Sequence, residues 1–71
     1  MANIYTIYDL GNGEKIEDVT SRDEKSALKK FAKGLISTGF YEIHYHADGD
    51  ETPHWELSTS YGRYFRAYKK Q

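Results

Sequence analysis

Apolar residues recur along this chain with two different periods. Leu28, Phe31, Ala32, Leu35 and Ile36 follow the i, i+3, i+4, i+7, i+8 spacing that lines one face of a helix. Lys25, Lys29, Lys30 and Lys33 fall elsewhere on it, and Lys33 near the C-terminal end complements the helix dipole. Ser21-Arg22-Asp23-Glu24 reads as a capping box, with the Ser21 hydroxyl at the N-cap and Glu24 reaching back. Gly39 is the expected stop.

Outside this segment the period is two. Ile4-Tyr5-Thr6-Ile7-Tyr8 is β-branched and aromatic, and Gly11-Asn12-Gly13 after it supplies the residues of a tight hairpin. The return arm from Glu14 to Val19 has two apolar residues among many charges, the composition of an edge strand. In 40–46, Tyr41, Ile43 and Tyr45 alternate with Glu42, His44 and His46. A turn through Ala47 to Pro53 leads to a strand in which Trp55, Leu57 and Thr59 alternate with His54, Glu56 and Ser58. Ser60-Tyr61-Gly62 is the next turn, and Phe65 and Ala67 then alternate with Tyr64, Arg66 and Tyr68.

These elements predict an α+β domain in ββαβββ order, one antiparallel sheet of four to five strands with a single helix on one face. Tyr41, Tyr45, Trp55 and Phe65 are expected to point into the core. A helix of about sixteen residues is roughly 24 Å long and covers part of one sheet face, so the opposite face is left open to solvent or a partner.

Composition narrows the picture. With 71 residues the chain holds one domain, 1–71, and with no cysteine it has neither disulfides nor thiolate metal sites, as suits a reducing compartment such as the cytoplasm. No stretch reads as a signal peptide or a membrane span, so a soluble protein is expected. Net charge is −1, which provides no global attraction to nucleic acid or an anionic membrane. Charge is nevertheless segregated: Asp48, Asp50, Glu51 and Glu56 make 48–60 carry −4, while Arg63, Arg66, Lys69 and Lys70 make 61–71 carry +4. Either neighbouring arms pair these charges across strands or the surface is polarised to orient a partner.

Candidate chemistry centres on His44, His46, Asp48, Asp50, Glu51, His54 and Glu56. A His-x-His pair on one strand face with His54 or Glu56 opposite is a donor set for zinc, but side chains on a wet sheet face are the commoner outcome. A partner contact through these histidines would weaken as they protonate below about pH 6.5. Ser58-Thr59-Ser60 has no nucleophile elbow around it, and Gly11-Asn12-Gly13 lacks the Lys-Ser/Thr ending of a phosphate loop. An enzyme is therefore not expected, and neither is a cofactor.

Seven tyrosines in 71 residues exceed what a small core needs. Tyr64, Arg66 and Tyr68 share a strand face, and Tyr and Arg are enriched at interface hot spots because they bury large area with few rotatable bonds. The expected partner-binding set is Tyr64, Arg66, Tyr68, His44, His46, His54, Glu56 and Arg63. The same trio can stack on bases of single-stranded nucleic acid, with Lys69 and Lys70 near the phosphates, although the acidic 48–60 segment opposes this.

The capped helix carrying Glu24-Lys25-Ser26-Ala27-Leu28 and Phe31-Ala32, followed by Thr38-Gly39-Phe40-Tyr41-Glu42-Ile43-His44 entering a strand, is similar in layout to small phage-encoded inhibitors of the anti-CRISPR and host RNA polymerase inhibitor types. The resemblance is architectural, covers about a third of the chain and assigns no residue a role. It implies a stoichiometric inhibitor that occludes a surface on a host defence or transcription complex; separately, the chain is expected to be a monomer or a weak homodimer. The readings from other classes are a sheet-face single-strand binder and a metal-dependent hydrolase.

Overall fold

The computed structural model describes residues 2–35, 40–47, 49 and 52–70. Ile36, Gly39, Asp48, Asp50 and Glu51, and the side chain of Leu35, lie outside what it describes. The order is ββαβββ: β1 Asn3–Asp9, β2 Lys15–Ser21, α1 Glu24–Leu35, β3 Tyr41–His46, β4 His54–Thr59 and β5 Tyr64–Lys69. One antiparallel sheet runs β2-β1-β5-β4-β3, with the helix packed on one side.

The C-terminal strand is the centre of this sheet. β5 pairs with β1 (Ile7 opposite Ala67) and with β4 (Leu57 opposite Phe65), so residues more than fifty positions apart become neighbours. The helix carries the chain from the β2 edge to the β3 edge, and β5 closes the gap between the two hairpins.

The core lies between helix and sheet. Tyr5 and Ile7 from β1, Leu57 from β4, Phe65 and Ala67 from β5, and Ala27, Leu28, Phe31 and Ala32 from α1 are all buried. Phe31 and Phe65 meet with ring centroids 4.9 Å apart at 62°, the edge-on geometry aromatic pairs favour. Alanines at 27, 32 and 67 have no bulk to hold the two layers apart.

The helix starts later than the capping-box reading placed it. Its N-cap is Asp23, whose Oδ1 accepts the Ser26 amide at 2.8 Å. Ser21 is instead the last residue of β2, buried and paired with Asn3. Continuing the strand lets Ser21 complete a ladder, and a carboxylate two residues on caps the helix equally well.

Tyr41 and Tyr45 correct a second expectation. They face the helix side with Ile43, but they are 37% and 56% exposed, unlike Phe65 and the half-buried Trp55. Five strands spaced about 4.8 Å apart form a sheet nearly 20 Å wide, and one helix about 10 Å across cannot cover its edges. Since β3 is an edge strand, its inward face is only partly roofed. The other edge, β2, bears a bulge where Ile7 opposes Glu17 and Tyr8 opposes Lys15, which blunts it against pairing with other chains.

Candidate functional site: the open sheet face

Alternation along five registered strands builds the face opposite the helix. Because Ile7, Leu57, Phe65 and Ala67 point into the core, their neighbours Tyr8, Glu56, Tyr64, Arg66 and Tyr68 point away from it. The register lines up rows across the sheet: His44 opposite Glu56, Glu56 opposite Arg66, and Arg66 opposite Tyr8; in the adjacent row Glu42 opposes Ser58 and Ser58 opposes Tyr64. His46 opposes His54 at the hairpin end. Thus Tyr64, Arg66, Tyr68, His44, His46, His54 and Glu56 all lie on one surface.

Aromatic geometry gives the surface its relief. Tyr64 and Tyr68 are 51% and 41% exposed. Tyr68 meets Tyr8 edge to face at 5.4 Å, and the Arg66 guanidinium sits over the Tyr68 ring, 4.4 Å from its centroid. Two clefts flank β5: one of ≈ 410 Å³ beside Tyr8, Leu10 and Tyr68, and one of ≈ 480 Å³ beside His44, His46, Glu56 and Tyr64.

The histidines do not form a uniform wet face. His54 is only 2% exposed, with the His46 ring stacked on it at 5.5 Å and 12°. Its Nδ1 faces the Thr52 carbonyl at 2.7 Å and its Nε2 hydrogen-bonds Glu56 Oε2. Burial of the ring opposes protonation and is the largest single influence. The Thr52 carbonyl and Glu56 carboxylate nevertheless outweigh it together with the repulsion from Arg66, raising His54 above its ordinary 6.5. His46 reaches the other Glu56 oxygen at 3.7 Å, and His44 pairs with Glu42 at 3.0 Å. Among the described residues no three His, Asp or Glu side chains are placed to hold a metal ion together.

Arg63 falls outside the cluster. Its Nη2 donates to Asp9 Oδ2 at 2.8 Å and its guanidinium lies over Phe65, so it clamps the β4–β5 turn to β1. That hydrogen bond, followed by the Gly11 amide, holds the Asp9 carboxyl below its usual range. Lys70 is similarly tied, donating to Asp18 Oδ2 at 3.1 Å, while Thr6 donates to Asp18 Oδ1. Thr6 and Lys70 in that order hold the Asp18 carboxyl low. Two of the four cations of 61–71, Arg63 and Lys70, therefore meet acids on β1 and β2.

Tyr8 and the Thr52 carbonyl were not among the expected site groups. The alternation of β1 marks Tyr8 as facing away from Ile7, but nothing local announces that β1 lies beside β5. No protein family, curated protein or solved structure matches the chain.

Proposed function

We propose that the protein is a non-enzymatic binding module whose open sheet face covers a surface of a protein partner. The observation that carries this reading is the tyrosine and arginine ridge of β5, where Tyr64, Arg66 and Tyr68 stand on the central strand between two clefts. Large, rigid aromatic side chains with polar tips, gathered near the middle of a face, are the composition of interface hot spots. The architectural likeness to small phage-encoded inhibitors favours a partner among host defence or transcription complexes, and the absence of cysteine suits a compartment that keeps thiols reduced. Binding there acts by occlusion.

The second reading, stacking of single-stranded bases on Tyr8, Tyr64 and Tyr68, has the sheet-face aromatics in its favour. Against it, Glu42, Glu56 and Asp18 share that face, and Lys70 is already engaged by Asp18. Affinity capture from a host lysate, run in parallel with fluorescence anisotropy on single-stranded oligonucleotides at low salt, separates the two. The binding-module reading expects a protein retained by the wild-type chain and lost with Tyr64→Ala/Tyr68→Ala, and no oligonucleotide affinity. Salt-sensitive oligonucleotide binding without a retained protein overturns it.

A further inference from the structure

We propose that Arg66 is the seat for a carboxylate presented by the protein partner, and that His54 makes this possible by drawing the chain's own Glu56 away from it. The inference rests on the binding reading above and specifies the chemistry of the partner at the centre of the face.

Glu56 and Arg66 stand directly opposite each other on adjacent antiparallel strands. Opposite charges in that relation ordinarily pair, and a guanidinium fits a carboxylate with two parallel hydrogen bonds. Here they do not: Glu56 gives Oε2 to His54, and Oε1 lies 3.7 Å from His46 Nε2. Among the described residues Arg66 enters no salt bridge, whereas Arg63 and Lys70 on the same stretch of chain each have an aspartate. The Arg66 Nε is buried without a hydrogen-bond partner. No hydrogen bond or ion pair within the described residues engages the guanidinium, so its outer N–H groups are left for an acceptor from outside.

The surroundings fit one carboxylate better than a phosphate chain. Stacking on Tyr68 orients the guanidinium plane, and Tyr64 and Tyr68 lie two residues to either side on β5 to cover apolar surface around a central ion pair. A nucleic-acid strand bears charge at each step and meets Asp18 and Glu42 elsewhere on the face; a protein surface with a single Asp or Glu meets Arg66 alone.

Selection of displayed random peptides on the intact 71-residue chain tests this. Peptides retained by the wild type are expected to be enriched in Asp or Glu beside apolar residues. Their affinity should fall on the order of tenfold with Arg66→Gln and be partly kept by Arg66→Lys, with unchanged circular dichroism. Peptides that need Tyr64 and Tyr68 but show no acidic enrichment overturn the carboxylate seat while leaving the binding face standing. Peptides indifferent to Tyr64→Ala/Tyr68→Ala, or no peptides at all, overturn the binding reading beneath it. A single-stranded oligonucleotide whose binding is lost with Arg66→Gln assigns the seat to phosphate and overturns the proposal.

Discussion

His54 and Glu56, two residues apart on β4, are hydrogen-bonded to each other while the second ring nitrogen of His54 faces the Thr52 carbonyl, so both ring nitrogens meet oxygen acceptors. A neutral imidazole has one N–H to donate, and two acceptors are satisfied together only by the imidazolium. His54 is accordingly raised above 6.5 despite its burial. A group whose folded value exceeds its unfolded one contributes fully below the unfolded value, and the contribution disappears as pH rises through the folded value. Chemical denaturation should therefore show stability falling as pH climbs from about 6.5 through the raised His54 value, and His54→Gln should flatten that limb. A wild-type profile that is level above pH 6.5 contradicts the assignment.

The acid limb has a separate origin. Asp9, Asp18 and Asp23 are all held below 3.8, by Arg63, by Thr6 and by the Ser26 amide respectively as the leading causes. Their contribution is present above 3.8 and is lost as pH falls through the lowered values. Stability should fall below about pH 4, and Asp9→Asn with Asp18→Asn should reduce that slope without touching the limb above pH 6.5. Loss of the upper limb in this double variant would separate neither limb from the other and so sink the division.

The fold was legible wherever the pattern is local. The period-two runs, the turns at Gly13 and Gly62, and the helical face of Leu28, Phe31 and Ala32 all read directly from neighbouring residues, and they predict ββαβββ order. The outward placement of Tyr64, Arg66 and Tyr68 followed from the same alternation. Strand order was not legible, because β1 and β5 are joined by contacts across nearly the whole chain. That is why Tyr8 was missed beside Tyr68, and why Arg63, adjacent in sequence to the trio, turned out to serve Asp9. The burial of His54 likewise depends on His46 lying across it from another strand.

Packing at the helix–sheet boundary sets the margin of stability. Leu57 is fully buried between Ile43 on β3 and Phe65 on β5. Leu57→Ala should cost about 2–5 kcal/mol, a large share of what so small a domain has, measured as a shift in urea midpoint. A loss below about 1 kcal/mol would mean that this region is not close-packed.

Two glycines should respond in opposite directions to the same change. Gly62 sits at φ 81, in the left-handed region, so Gly62→Ala should destabilise by roughly 1–2 kcal/mol although its surroundings are open. Gly34 lies inside α1 with nothing near its missing Cβ, so Gly34→Ala should stabilise by about 0.5–1 kcal/mol. Melting temperatures moving the same way in both variants contradict the backbone account.

The two sides of the sheet carry matched reporters for the central claim. Tyr64 and Tyr68 are exposed on the open face, and Tyr41 and Tyr45 are exposed on the helix side. Covalent labelling of tyrosines in the free protein and in complex with a captured partner reads directly which side is covered. Protection of Tyr64 and Tyr68 with Tyr41 and Tyr45 labelled as before is the predicted result. Protection of Tyr41 and Tyr45 with Tyr64 and Tyr68 unchanged would contradict it.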